Sequence, residues 1–165
     1  MEEMNGLLFY LVGYEREEFS KNVFYAGAAL NQQAIPSVDY LISKEVGDAK
    51  GWVLLSADYV YPYTTNKILR AYFKTKGVKH TDIDEKYTPF GYSDYQTIVA
   101  DVKKFSIGGK TAVVSTINGD SNVPLHNELG NAGLKAKDMP VVAFSISKQE
   151  LRGVDTKPLV GHLAD

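Results

Sequence analysis

Residues 52–77 read WVLLSADYVYPYTTNKILRAYFKTKG, and the fold turns on the join between the two halves of this stretch. Val53, Leu54 and Leu55 form a short continuous apolar run, the pattern of a strand buried on both faces. Residues 64–76 have the spacing of an amphipathic helix, and Gly77 stands where a helix C-cap favours glycine. Between the two, residues 57–64 read as a loop that holds Tyr59, Tyr61 and Tyr63, where glycine and serine would be routine. Open α/β sheets hold their ligands at the carboxyl ends of strands. Those tyrosines are therefore the first candidates for a binding surface.

Working outward, strands are expected over 7–12, 23–26, 52–56, 85–89, 111–116, 141–145 and 159–163. Helices are expected over 31–44, 64–76, 93–105 and 121–132, with a short helical turn over 148–151. The first helix would carry Ile35, Val38, Leu41 and Ile42 on one face, with Asn31 as its cap and Pro36 suited only to a first turn. Gly133 would end the last helix as Gly77 ends its own. Strands of Val, Leu and Ile alternating with helices of about a dozen residues predict an α/β fold. The expected architecture has three layers, α/β/α, around an open, mostly parallel, doubly wound sheet. Both ends depart from this plan. The first two strands lie too close for a regular βαβ unit, and no covering helix follows the last one.

Composition narrows the function. The 165 residues suit one domain, and 44% hydrophobic content supports a real core. A formal net charge of -2 argues against nucleic acid or an anionic membrane as the partner. His80, His126 and His162 stand far apart and cysteine is absent, so no metal-ligand spacing appears and no cofactor is implied. No run approaches the roughly 20 apolar residues of a membrane span. Met1-Glu2-Glu3 is acidic where a signal peptide would be basic.

Three expected loops follow strands on the same side of the sheet, at 57–64, 117–122 (INGDSN) and 145–148 (SISK). They offer phenols, a carboxylate, amides and serine hydroxyls with little net charge. That inventory suits a small neutral polar solute, since hydroxyls both donate and accept while aromatic faces exclude water. It suits phosphate poorly, because Asp120 would repel an anion and there is no P-loop. Catalysis finds no GxSxG turn and no carboxylate pair in apolar surroundings, so the chain reads as non-enzymatic. Plainer roles compete at each position: Asp120 as an N-cap, the tyrosines as packing, Ser145 as a strand-end serine. His80 and His126 read as surface residues.

NVFYAGAALNQQAIPSVDYL, SADYVYPYTTNKILRAYFKTKGV, YTPFGYSDYQTIVADVKKF, GKTAVVSTINGDSNVP and DTKPLVGHLA resemble the urea-binding proteins of bacterial ABC transporters. These are type I periplasmic binding proteins, in the branch that includes the short-chain amide sensor of amidase operons. Members have two α/β lobes that close over the ligand. The resemblance implies that residues 1–26 are remnant strands of lobe one and its hinge, and that 27–165 form lobe two. It also implies Tyr59 and Tyr61 as aromatic wall and hydroxyl contacts, Asp120 as acceptor for the solute's N–H groups and Ser145 as a supporting hydroxyl. Tyr10 would be the lobe-one contribution. The parent would be periplasmic, with a transporter permease as its partner and a small neutral amide such as urea as its ligand. The chain departs from the family's YPVQYEG at Leu11, Gly13 and Arg16, from its arginine at Tyr63, and from its histidine at Tyr92. Two alternatives remain at this stage. One is an isolated structural lobe that pairs into a homodimer through its exposed first strands; the other is a cytoplasmic amide-sensing regulator.

Overall fold

The strand Gly51–Ala57 (β3) is buried along almost its whole length because both of its faces are covered. On one face Val53, Leu55 and Ala57 join Val113 and Val141; on the other Trp52 and Leu54 join Ala112, Val114 and Val142. This is period-two alternation with apolar residues on both faces, the pattern of a parallel sheet buried on both sides. In the computed structural model, which describes residues 2–15, 18–45, 47–105 and 109–164, a helix pair closes each face. Helices Leu30–Ile42 (α1) and Val60–Thr75 (α2) supply Ala34, Val38, Leu41, Leu69 and Phe73 to the Trp52 side. Helices Gln96–Phe105 (α3) and Asn122–Asn131 (α4) supply Val99, Val102, Leu125 and Leu129 to the other. Trp52 and Phe73 meet with ring centroids 4.5 Å apart. Each buried side chain of this size stabilises by about 2 kcal/mol or more.

The sheet contains β3, Ile83–Thr88 (β4), Thr111–Thr116 (β5), Val141–Ala143 (β6) and Leu163–Ala164 (β7). Every pairing is parallel, and the spatial order is β4-β3-β5-β6-β7. From β3 the chain first moves to one edge, then crosses back to lay β5 on the other side. A reversal of this kind is a topological switch point, and it opens a crevice at the carboxyl ends of β3 and β5. The expected three-layer doubly wound fold is present.

Several boundaries fall elsewhere than the sequence suggests. Helix α2 begins at Val60, so Tyr61 and Tyr63 lie in its first turn rather than in a loop, and Tyr59 is its N-cap. Pro62 permits this, because the first-turn N–H groups have no helical partner to lose. Helix α1 runs through Pro36, well beyond its first turn, and buries Leu30, Ala34, Val38 and Leu41. Its N-cap is Ala29 rather than Asn31, and the Ala29 N–H donates to Gln32 Oε1 at 2.8 Å. The last strand is Leu163–Ala164 rather than 159–163, because Pro158 sits in a short 3-10 helix and Gly161 takes a φ of 93°. Gly77 and Gly133 both have positive φ after their helices, as expected.

Before this sheet, Leu8–Tyr10 (β1) and Val23–Tyr25 (β2) pair in parallel as a separate two-stranded sheet. Its apolar side chains stand in solvent, Phe9 63% and Phe24 50% exposed, and so do Leu11 and Phe19 in the chain between its strands. Two strands alone are marginal, since they bury too little apolar surface to offset the ordering of the chain.

Buried and half-buried polar groups tie the core to the ends of the strands. Asn122, fully buried at the start of α4, donates through Nδ2 to the carbonyls of Ile117 (3.1 Å) and Ser145 (2.8 Å). It thereby bridges the segments that follow β5 and β6. His126 is also buried, against the expectation of a surface position, because α4 turns it inward beneath Asn122, whose carbonyl lies 2.8 Å from its Nδ1. His162 accepts from the Val141 N–H at 3.0 Å through Nδ1, and its Nε2 faces the Leu134 carbonyl at 3.3 Å. A carbonyl only accepts, so the Nε2 carries the proton and the ring is neutral.

Substituting Asn122→Ala strands two buried carbonyls and should cost about 2 kcal/mol in guanidinium unfolding. Burial holds both His126 and His162 below the usual imidazole range, the neighbouring carbonyl opposing it in each case, and at His162 the nearby His126 adds to the lowering. With folded pKa values below the unfolded one, the unfolded chain binds more protons as pH falls. Stability should therefore be level above about pH 7 and decline from about pH 6.5 downward. Unfolding midpoints across that window measure it, and His162→Asn, which retains an acceptor for Val141, should flatten part of the decline.

Candidate functional site

At the switch point the tyrosines of the opening stretch separate. Residues two apart on a helix point to different sides of it, and α2 opens with Tyr59, Tyr61 and Tyr63 at that spacing. Tyr59 is half-buried beside β5, and the Asn118 side-chain amide donates to its phenol oxygen. Its ring packs on Phe90 at 4.9 Å and on Tyr61 at 6.0 Å. Burial pushes its phenol pKa up, the Glu15 carboxylate pushes it further, and the Asn118 bond opposes both. Since Asn118 donates to the oxygen, the phenol retains its own proton for a solute acceptor.

Tyr61 is buried and turned toward α1, where its hydroxyl donates to Gln33 Oε1 at 3.0 Å. Gln33 in turn donates through Nε2 to the Phe144 carbonyl at 3.2 Å. Tyr63 faces the sheet edge, its hydroxyl donating to the Asp58 carboxylate and its ring 4.8 Å from Tyr87. Only Tyr59 looks across the crevice. Beneath it a buried polar cluster fixes α2 on the sheet: Asn66 Nδ2 lies 3.0 Å from Ser56 Oγ, Glu85 Oε1 and the Tyr87 hydroxyl. Arg70 pairs with the other Glu85 oxygen. Burial alone would raise the Glu85 carboxyl, but hydrogen bonds from Tyr87, Asn66 and Arg70 outweigh it and hold it low.

Across the crevice, residues Gly119–Ser121 form a 3-10 turn between β5 and α4. Gly119 adopts a φ of 63°, a conformation costly for a side-chain-bearing residue, and the turn leaves Asp120 exposed. The Asp120 carboxylate caps no helix and makes no hydrogen bond or ion pair among the described residues. Its acceptors face solvent. Ser145 is half-buried after β6; its carbonyl is held by Asn122, while its hydroxyl makes no hydrogen bond among the described residues. Tyr10 lies in the two-stranded sheet, edge-on to Tyr25 at 6.1 Å. No hydrogen bond or ring contact joins it to the other four candidates.

The structure thus brings Tyr59, Tyr61, Asp120 and Ser145 to the carboxyl ends of three neighbouring strands. It adds Gln33, Asn118, Asn122 and Phe90, which sequence reasoning missed. Asn118 and Asn122 flank Asp120 within INGDSN, so asparagines bracketing a strand-end turn were the available signal. Gln33 gave none, because its partners lie 28 and 111 residues away. Among the described residues no group of three or more His, Cys, Asp or Glu is placed to hold a metal ion.

Comparison with known proteins agrees with this architecture. An amino acid ABC transporter substrate-binding protein from Pseudomonas fluorescens Pf-5 superposes with a TM-score of 0.72 at 13% identity, covering 98% of this chain and 43% of that one. A fatty acid ABC transporter substrate-binding protein from Thermomonospora curvata gives 0.63 at 16% identity, with coverages of 92% and 37%. A branched-chain amino acid ABC transporter periplasmic ligand-binding protein from Burkholderia xenovorans LB400 gives 0.55 at 20%, with coverages of 76% and 30%. The likeness is one of fold, and this chain spans less than half the length of each. The periplasmic binding protein domain family matches residues 1–165, so the chain belongs to that family.

Proposed function

We propose that this chain is the ligand-holding second lobe of a solute receptor for an ABC uptake system, and that its solute is urea or a short-chain amide. The observation that carries this reading is Tyr59, fixed by Asn118 at the switch point with the unpartnered Asp120 carboxylate on the next turn. Urea presents four N–H donors and one carbonyl acceptor. Asp120 would accept from the N–H groups, the Tyr59 hydroxyl would donate to the carbonyl, and Ser145 would support either contact. The Tyr59 and Phe90 rings would cover the planar faces and exclude water, with Tyr61 packed behind Tyr59. Nothing in this chemistry needs a cofactor or a catalytic group; the work is selective binding.

Residues 1–26 are read as the portion of lobe one that crosses the hinge, and 27–165 as lobe two. In a complete two-lobed receptor, Tyr10 and its neighbours would bring the opposing jaw, a permease would be the partner, and the periplasm the site of action. One jaw buries only part of a solute, whereas pockets that bind tightly bury most of it.

Calorimetric titration of this chain with urea, acetamide and formamide tests the reading. Saturable one-site binding in the millimolar range, corresponding to roughly 4 kcal/mol, is expected. Asp120→Ala should abolish it, because it removes an acceptor that has no other partner among the described residues, and Tyr59→Phe should weaken it by about tenfold, because it removes the donor to the solute together with the bond that Asn118 makes to the phenol. No heat from any of the three solutes with a folded sample, or binding indifferent to both substitutions, would sink the reading.

A further inference from the structure

After β6 the chain passes through two short 3-10 helices, Glu150–Gly153 and Lys157–Leu159, which pack against α4 before β7 begins. They leave a hollow of about 300 Å³ beside that helix. This is the small end of the range for ligand pockets. Ile146, Leu151, Leu159 and Leu163 are half-buried around it, and Val160 stands at its mouth, 80% exposed. None of Tyr59, Phe90, Asn118 or Asp120 lines it, so it is separate from the switch-point crevice.

Two imidazoles also line the hollow, and they differ in what they have left to give. His162 has both nitrogens engaged, one with the Val141 N–H and the other with the Leu134 carbonyl, so it offers only its ring. His126 is 5% exposed and has one nitrogen engaged, its Nδ1 lying on the Asn122 carbonyl of its own helix. A carbonyl only accepts, so in the neutral ring that burial favours, Nδ1 carries the proton and Nε2 is a bare acceptor. That Nε2, on the far side of the ring, makes no hydrogen bond among the described residues. An unpaired acceptor among apolar side chains is costly, and a donor arriving there recovers the cost.

We propose that this hollow binds a small neutral phenol or alcohol, its hydroxyl donating to His126 Nε2 and its hydrocarbon body set among Ile146, Leu151, Leu159 and Leu163. The class follows from the two features together. The nitrogen asks for a donor, so a carboxylate has nothing to offer it. The leucine and isoleucine methyls favour an apolar body and penalise any group that must shed a full hydration shell, which disfavours an ammonium. A single hydroxyl on a hydrocarbon meets both demands. Urea and acetamide, polar over most of their surface, do not, so the proposal goes beyond the amide reading and does not rest on it.

The test is a titration of the whole chain with phenol and with toluene, which has nearly the same shape and no hydroxyl, followed by methyl and histidine-ring NMR. Phenol should saturate a single site and shift the methyls of Ile146, Leu151 and Leu159. It should also move the His126 Nε2 resonance upfield, as an acceptor nitrogen moves on taking a hydrogen bond, and by more than either nitrogen of His162. Toluene should leave Nε2 where it is. His126→Leu, which keeps an apolar side chain on α4, should weaken phenol by about tenfold without weakening toluene. The nitrogen shift is read on the unaltered chain, so it decides the matter even where His126→Leu does not fold. Saturation by phenol without movement of Nε2, equal phenol affinity in His126→Leu and the unaltered chain, or methyl shifts gathered at the switch-point crevice would each overturn the proposal. So would failure of phenol to saturate at all.

Discussion

The reversal of strand order at β3 is the constraint on which the rest depends. Because β4 is laid to one side of β3 and β5 to the other, the connections that leave β3 and β5 diverge onto opposite faces of the sheet. Side chains from the two connections reach into the gap between them. Tyr59 from one connection and Asn118 from the other meet there. A parallel sheet with a different strand order would have all the same residues and no crevice for them to share.

Around that gap the polar groups divide into those already satisfied and those left available. Gln33 ties Tyr61 to the Phe144 carbonyl, and Asn122 ties the end of β5 to Ser145, so neighbouring strand ends are fixed by buried amides rather than by mobile loops. Rigidity of this kind lowers the ordering cost of binding. Against this fixed background Asp120 and the Ser145 hydroxyl have no protein partner among the described residues. A surface that satisfies its structural amides and leaves a carboxylate and a hydroxyl open at one rim has the distribution expected of a recognition site.

Much of this was legible in the sequence, for definite reasons. Strand β3 and its partners announced themselves because continuous Val and Leu runs between amphipathic helices have few other packings. The rim loops followed from the parallel arrangement alone. Most of the details that escaped are set by tertiary contacts. Whether Tyr61 sits in a loop or a helix depended on Pro62, which tolerates either state in a first turn. His126 read as a surface residue because its polar type hid a spacing the sequence carried: it shares the buried face of α4 with Asn122, Leu125 and Leu129. Tyr10 was legible as an aromatic on a strand, yet its neighbours, Tyr25 and Tyr14, follow from a parallel register that no local signal specifies.

The most direct measurement is an amide chemical-shift map of the chain as acetamide is added. If the switch-point crevice is where this domain holds its solute, perturbations will concentrate on residues 57–61, 117–122 and 143–146, with the Asn118 and Asn122 side-chain amides moving as well. Shifts gathered at the opposite, amino-terminal ends of the strands, or spread evenly over the surface, would contradict it.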